Sequence, residues 1–169
     1  MMRRQILFQV GLVLCLALTV TATDKKKAPI NPMFEKSNKM WMQVMEKAPS
    51  ITVDQLKKAK ESGDAQFVIL DVRTGDEFKA GYIDGAIHAD RNAVEFYAAK
   101  AVPEPDTTIY VYCMIGARAA SATLALLDLG YQKVFNISGG IHAWANSGYP
   151  VHNELGEFTF TKTADVNWQ

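Results

Sequence analysis

The chain has 169 residues, about half apolar (49%) and a fifth charged (21%), enough for one globular domain with its own core. Eighteen basic residues balance eighteen acidic ones. No basic stripe interleaved with aromatics occurs, which argues against a nucleic-acid partner, and there is no internal repeat or low-complexity tract.

Residues 1–22 read as an address rather than as part of the fold. Arg3 and Arg4 give a positive start, Ile6 to Val20 is a 15-residue apolar run, and Val20-Thr21-Ala22 offers a small-residue cleavage site. The run is short for a membrane span, which needs about 20 residues. A secretory signal cut after Ala22 is favoured over a retained anchor, so a periplasmic or secreted protein without stable membrane insertion is expected. Leu14 is too bulky to precede a lipid-attachment cysteine at Cys15. Cleavage leaves 16 basic against 18 acidic residues and removes Cys15, so that Cys113 becomes the only thiol. In a compartment that permits disulfides, an unpaired cysteine is a liability unless it is used.

Residues 23–49 are expected to be a Lys- and Pro-containing linker followed by a helix from about Met33 to Lys47. That helix would pack on the main domain; its methionines could alternatively form a partner surface. A helix from about Val53 ends at Ser62-Gly63. A buried strand follows over Phe67–Leu70, then a short helix over Asp76–Ala80 and a turn into a strand ending at His88. Next come a helix from Val94 to Ala101 and a strand from Ile109 to Tyr112. The strand leads to Cys113, a six-residue loop closed by Arg118, and a helix to Leu129 with Gly130 past its end. Lys133–Asn136 is a further strand and Ile141–Asn146 a short helix. Alternating strands and helices predict an α/β domain: one parallel sheet of about five strands, helices on both faces, and a ligand crevice at the strands' carboxyl ends. Residues 153–169 suggest a short strand or an extended arm.

Cys113 sits where that crevice should be. A strand-end cysteine can be inert packing. Here the strand–loop–helix geometry turns the loop amides, and the positive end of the following helix, toward the sulfur. A thiol titrates at about 8.5 in free solution, and such surroundings favour the thiolate, the nucleophilic form. Among the histidines, His88, His142 and His152 show no metal-ligand spacing, and neither metal nor cofactor is implied.

Three segments together form a recognisable pattern. They are Leu70-Asp71-Val72-Arg73 with Glu77-Phe78 and Gly81-Tyr82-Ile83-Asp84-Gly85-Ala86; Tyr112-Cys113 to Gly116-Ala117-Arg118; and Ser138-Gly139-Gly140 to Trp144 with Gly148-Tyr149-Pro150-Val151. In this order and spacing, across residues 50–152, they resemble the rhodanese family of single-domain sulfurtransferases. The resemblance implies that Cys113 carries a persulfide. It further implies that the loop residues Met114, Ile115, Gly116 and Ala117 cradle the outer sulfur, and that Arg118 binds an anionic leaving group or acceptor. The substrate would be a small sulfur compound or a persulfide-carrying protein. Asp71 and Arg73 are expected to support the site structurally, through an ion pair or capping contact that fixes the loop, with Glu77 four residues on as a partner for Arg73; substrate contact is the alternative reading. Trp144 and Phe78 are expected in the core and Tyr82, where the family commonly has histidine, on the outside.

Two departures and two rivals shape the expectation. Met114 and Ile115 are apolar where many thiosulfate-using members carry a basic or polar residue, so thiosulfate should be a poor donor and a larger, more apolar sulfane carrier the natural one. Related phosphatases have one residue more between cysteine and arginine, because a tetrahedral phosphate needs a wider ring of amides. A thiol–disulfide oxidoreductase would need a resolving cysteine. The rival from another class is a non-catalytic rhodanese-like binding or redox-sensing module.

Overall fold

The computed structural model describes residues 31–63 and 66–160. The expected signal at 1–22, Cys15 and the first part of the linker lie outside the described residues, as does 161–169.

Local sequence sets the elements. Helix α1 (Pro32–Lys47) starts at Asn31, whose side chain accepts from the Met33 amide, with Pro32 in the first turn. The short strand β1 (Ser50–Ile51) precedes α2 (Val53–Ser62), which opens on a capping box between Thr52 and Gln55. Strand β2 (Phe67–Asp71) leads to α3 (Gly75–Ala80), opened by a second capping box between Thr74 and Glu77. Then follow β3 (Ala86–His88), a 3-10 turn (Arg91–Ala93), α4 (Val94–Ala101), β4 (Thr108–Tyr112) and α5 (Ala117–Leu129). At the end of α5, the Tyr131 amide donates to the Leu126 carbonyl and the Gly130 amide to that of Leu127. This paired closure needs a left-handed residue, and Gly130 takes it at φ 115°. Strand β5 (Lys133–Ile137), α6 (Gly140–Asn146) and a hairpin of β6 (Val151–Asn153) and β7 (Gly156–Phe158) complete the described chain.

The five strands form one parallel sheet in the order β1-β5-β4-β2-β3. Side chains alternate across it. Leu70, Val72, Ile109, Val111 and Cys113 face a layer built from Val94, Ala98, Ala119, Ala122 and Leu126 of α4 and α5. Ile69, Tyr112 and Ile137 face Leu56 of α2 and Ile141 and Trp144 of α6 on the opposite side. Residue parity along β4 therefore places the cysteine on the α5 side.

Three local expectations change. The edge strand β1 is unforeseen: two residues are too few to show periodicity, and they pair only because β5 presents an open edge. Phe78 is half-buried rather than core, stacked on the Tyr82 ring at 4.5 Å. Tyr82 is correspondingly half-buried and bridges to His152 through two backbone bonds of 2.8 and 2.9 Å. This bridge joins the β6–β7 hairpin to the domain, and β7 is the short strand expected beyond residue 153. Helix α1 packs on α5, as expected, with Ser37, Trp41 and Val44 half-buried, while Met33, Phe34, Met40, Met42 and Met45 are exposed.

Candidate active site

The site lies at the carboxyl ends of β2 and β4, neighbours whose register sets Asp71 opposite Tyr112. Cys113 follows β4 directly. Residues Met114 to Gly116 turn the chain, Gly116 takes φ 106°, and α5 begins at Ala117. The Gly116 amide donates to Cys113 Sγ at 3.2 Å. Of the loop amides expected to surround the sulfur, this is the one within hydrogen-bond geometry of it. The cysteine is 1% exposed, whereas Met114 and Ile115 are 38% and 61% exposed. The sulfur thus lies at the inner side of a loop whose rim is apolar, and Ala117 is half-buried beside it in sequence.

The loop's outward-facing carbonyls are taken by α6. The Ile141 amide donates to the Cys113 carbonyl at 2.9 Å and the His142 amide to that of Met114 at 3.1 Å. Such close approach requires glycine at the start of α6. A Cβ on Gly140 would run into the Cys113 carbonyl oxygen and lie 2.7 Å from that of Met114, and Gly140 has φ 56°.

Arg118, the second residue of α5, is turned to Glu77 of α3. Its Nη1 and Nη2 donate to the two carboxylate oxygens at 2.8 and 2.7 Å. Such a bidentate fork is among the strongest side-chain pairings. Glu77 Oε2 also accepts from the Thr74 amide at 3.0 Å and the Thr74 hydroxyl at 3.1 Å. The Arg118 fork above all, with Thr74 adding, holds the Glu77 carboxyl well down, from the ordinary 4.5 to about 2. Reciprocally, Glu77 strengthens the hold of Arg118 on its proton, and the negative charge that Cys113 can carry acts in the same sense.

Asp71 and Arg73 form a separate, fully buried pair. Arg73 Nε donates to both Asp71 oxygens at 2.9 and 3.0 Å, Nη2 to Oδ2 at 2.5 Å, and the Arg73 amide to Oδ1 at 3.0 Å. Arg73 Nη2 also reaches the Gly81 carbonyl at 2.6 Å, and the guanidinium lies 5.6 Å from the Tyr112 ring centre. The expected Arg73–Glu77 pairing is therefore corrected. Arg73 turns inward to its own strand end, and Glu77 is left for Arg118. The pair reaches the cysteine loop through Tyr112, whose carbonyl accepts from the Val72 amide at 2.9 Å. His88 Nε2 lies 2.9 Å from the Arg73 carbonyl oxygen, His142 is exposed on α6, and His152 pairs with Glu157 at 3.3 Å. Among the described residues, no cluster of metal-ligating side chains occurs.

Sequence reading missed Glu77 as a member of the site and Gly140 as the spacer under the loop. The Thr74-x-x-Glu77 spacing marks a capping box and so explains why a glutamate stands there. It carries no sign of the arginine 41 residues further on.

Known proteins with related sequences and structures agree with this architecture. A family model described as "Rhodanese-like domain" matches residues 52–147. Thiosulfate sulfurtransferase 18 of Arabidopsis thaliana is 32% identical over 121 residues, covering 64% of this chain and 87% of the plant protein. Thiosulfate sulfurtransferase GlpE of Pseudomonas aeruginosa is 31% identical over 107 residues, covering 63% and 92%. The solved rhodanese-like domain of the Anabaena Alr3790 protein superposes with a TM-score of 0.59 at 25% identity, covering 72% of this chain and 96% of that one. A Rhodopseudomonas palustris protein titled a possible tyrosine phosphatase is similar too, with a TM-score of 0.60 at 28% identity over 68% and 92% of the two chains. With the motifs in order, the five-stranded parallel sheet in place and the match spanning most of the described residues, the chain belongs to the rhodanese-like domain family, alongside rhodanese-type sulfurtransferases.

Proposed function

We propose that the protein is a sulfurtransferase that moves sulfane sulfur from a donor to a thiophilic acceptor through a persulfide on Cys113. The observation that supports this most is the bond from the Gly116 amide to Cys113 Sγ at the start of α5. A backbone donor fixed on the sulfur stabilises negative charge there without reorganising when the reaction begins.

The reaction is written as two displacements. With thiosulfate, the Cys113 thiolate attacks the outer sulfur, the donor S–S bond breaks, and sulfite leaves with the electron pair, leaving Cys–S–S⁻. With an organic hydropersulfide, attack on the terminal sulfur gives Cys–S–SH and releases the donor's thiolate. An acceptor such as cyanide then takes the outer sulfur as thiocyanate, and the Cys113 thiolate returns. Cys113 is buried while Met114 and Ile115 are exposed, so the donor's body stays at the Met114–Ile115 rim and only its sulfane sulfur is passed inward. That rim favours an organic persulfide or a persulfide-carrying protein over thiosulfate. With residues 1–22 read as an export signal, the reaction runs outside the cytoplasm.

The test is cyanolysis of thiosulfate and of an organic persulfide by the wild type and by Cys113→Ser. The proposal requires thiocyanate from the wild type and none above background from the serine variant. Equal output from both would favour a binding module.

A further inference from the structure

We propose that Glu77 is a positioning residue that sets the charge of donor the site accepts: by holding both terminal nitrogens of Arg118, it presents the cysteine loop as an electrically neutral cradle and discriminates against dianionic donors. This rests on the sulfurtransferase reading above and concerns its selectivity.

Three observations carry it. Arg118 is the only charged residue in the loop from Cys113 to Arg118, so the positive charge offered to an anion there comes from this one side chain. Both of its Nη atoms are already committed, at 2.8 and 2.7 Å, to the two oxygens of a single carboxylate. That carboxylate is itself fixed by the Thr74 amide and hydroxyl, so it does not swing away when a donor arrives. A dianion approaching Cys113 therefore meets a guanidinium whose charge is largely cancelled by the carboxylate on its far end, and finds only the N–H groups that the fork does not use. A donor with no charge beside its sulfane sulfur meets no such penalty, and the apolar Met114 and Ile115 suit its body. The carboxylate is ionised throughout the physiological range, because the Arg118 fork keeps its pKa at about 2.

Glu77→Gln tests this without dismantling α3, since glutamine at the third helical position also completes a capping box. Full-length protein would be assayed by cyanolysis with dianionic thiosulfate and with an alkyl persulfide that carries no charge beyond its sulfane sulfur, N-acetylcysteine methyl ester persulfide. In Glu77→Gln, kcat/KM for thiosulfate should rise about tenfold, the scale of one freed charge-assisted hydrogen bond, and added salt should erode the gain. The alkyl persulfide should change by less than about twofold. Glu77→Asp, which keeps the negative charge, should leave thiosulfate poor. The inference is overturned if thiosulfate turnover by Glu77→Gln is unchanged or falls, or if both donors shift together, as a merely structural role requires. Absence of Cys113-dependent transfer by the wild type with every donor would instead overturn the underlying sulfurtransferase reading, and this inference with it.

Discussion

The backbone amide of Ile141 donates to the carbonyl oxygen of Cys113 at 2.9 Å, which ties the third motif of the chain directly to the second. With His142 doing the same for Met114, the first turn of α6 holds the loop's carbonyls on one side and so leaves the Gly116 amide free to face the sulfur on the other. The glycine pair before Ile141 is thus a steric requirement of the cysteine loop as much as of α6.

Gly140→Ala tests that arrangement. The added methyl meets the Cys113 and Met114 carbonyls, and φ 56° disfavours any side chain. A cost of about 2–4 kcal/mol is expected from strain and overpacking together. Urea denaturation should show it, and sulfur transfer should fall even where the variant is folded. Wild-type stability and rate would refute the packing argument.

The Arg118–Glu77 fork makes a pH-dependent contribution to stability. The Glu77 carboxyl is depressed from 4.5 to about 2 in the folded protein, so the fold binds that proton more weakly than the unfolded chain does. The associated stabilisation is fully present above about pH 5 and is lost as pH falls through the interval from 4.5 to about 2. The melting temperature of the wild type minus that of Glu77→Gln should be constant at neutral pH and shrink across this interval. A difference that does not change with pH would show that the fork is not the cause.

Asp71 and Arg73 are buried to 0% and 3% exposure. Asp71→Asn keeps the shape but leaves a buried guanidinium without its counter-charge, for an expected loss of about 3–5 kcal/mol. Replacing both residues with apolar ones should cost less than the sum of the single changes, measured by a double-mutant cycle in urea. Additive losses would mean that the two side chains do not act as a unit.

Much of this was legible in the residues, for identifiable reasons. The β4 run Ile109–Tyr112 is β-branched and aromatic, and Gly130 stops α5, so the strand, the cysteine loop and its helix could be placed within a residue or two. The parallel sheet followed from alternation of strand and helix patterns. What stayed hidden depends on partners distant in sequence. Local spacing offered Glu77 to Arg73, but Arg73 is drawn into the interior by an aspartate two residues away, and Glu77 faces a helix 41 residues on. Two-residue β1 carries no pattern of its own and exists because β5 completes it. The stacking of Phe78 on Tyr82 depends on where a turn and a terminal hairpin meet, which no periodicity encodes.

The chemistry stands or falls on whether Cys113 carries the transferred sulfur. Intact-protein mass spectrometry after exposure to a sulfane donor, and again after cyanide, reads this directly. The wild type should gain about 32 Da, one sulfur atom, mapped to Cys113, and lose it to cyanide with release of thiocyanate, while Cys113→Ser, folded to within about 1 kcal/mol of the wild type, gains nothing. A wild-type protein that takes up no sulfur from any donor, or a serine variant that takes it up equally, would contradict the persulfide mechanism.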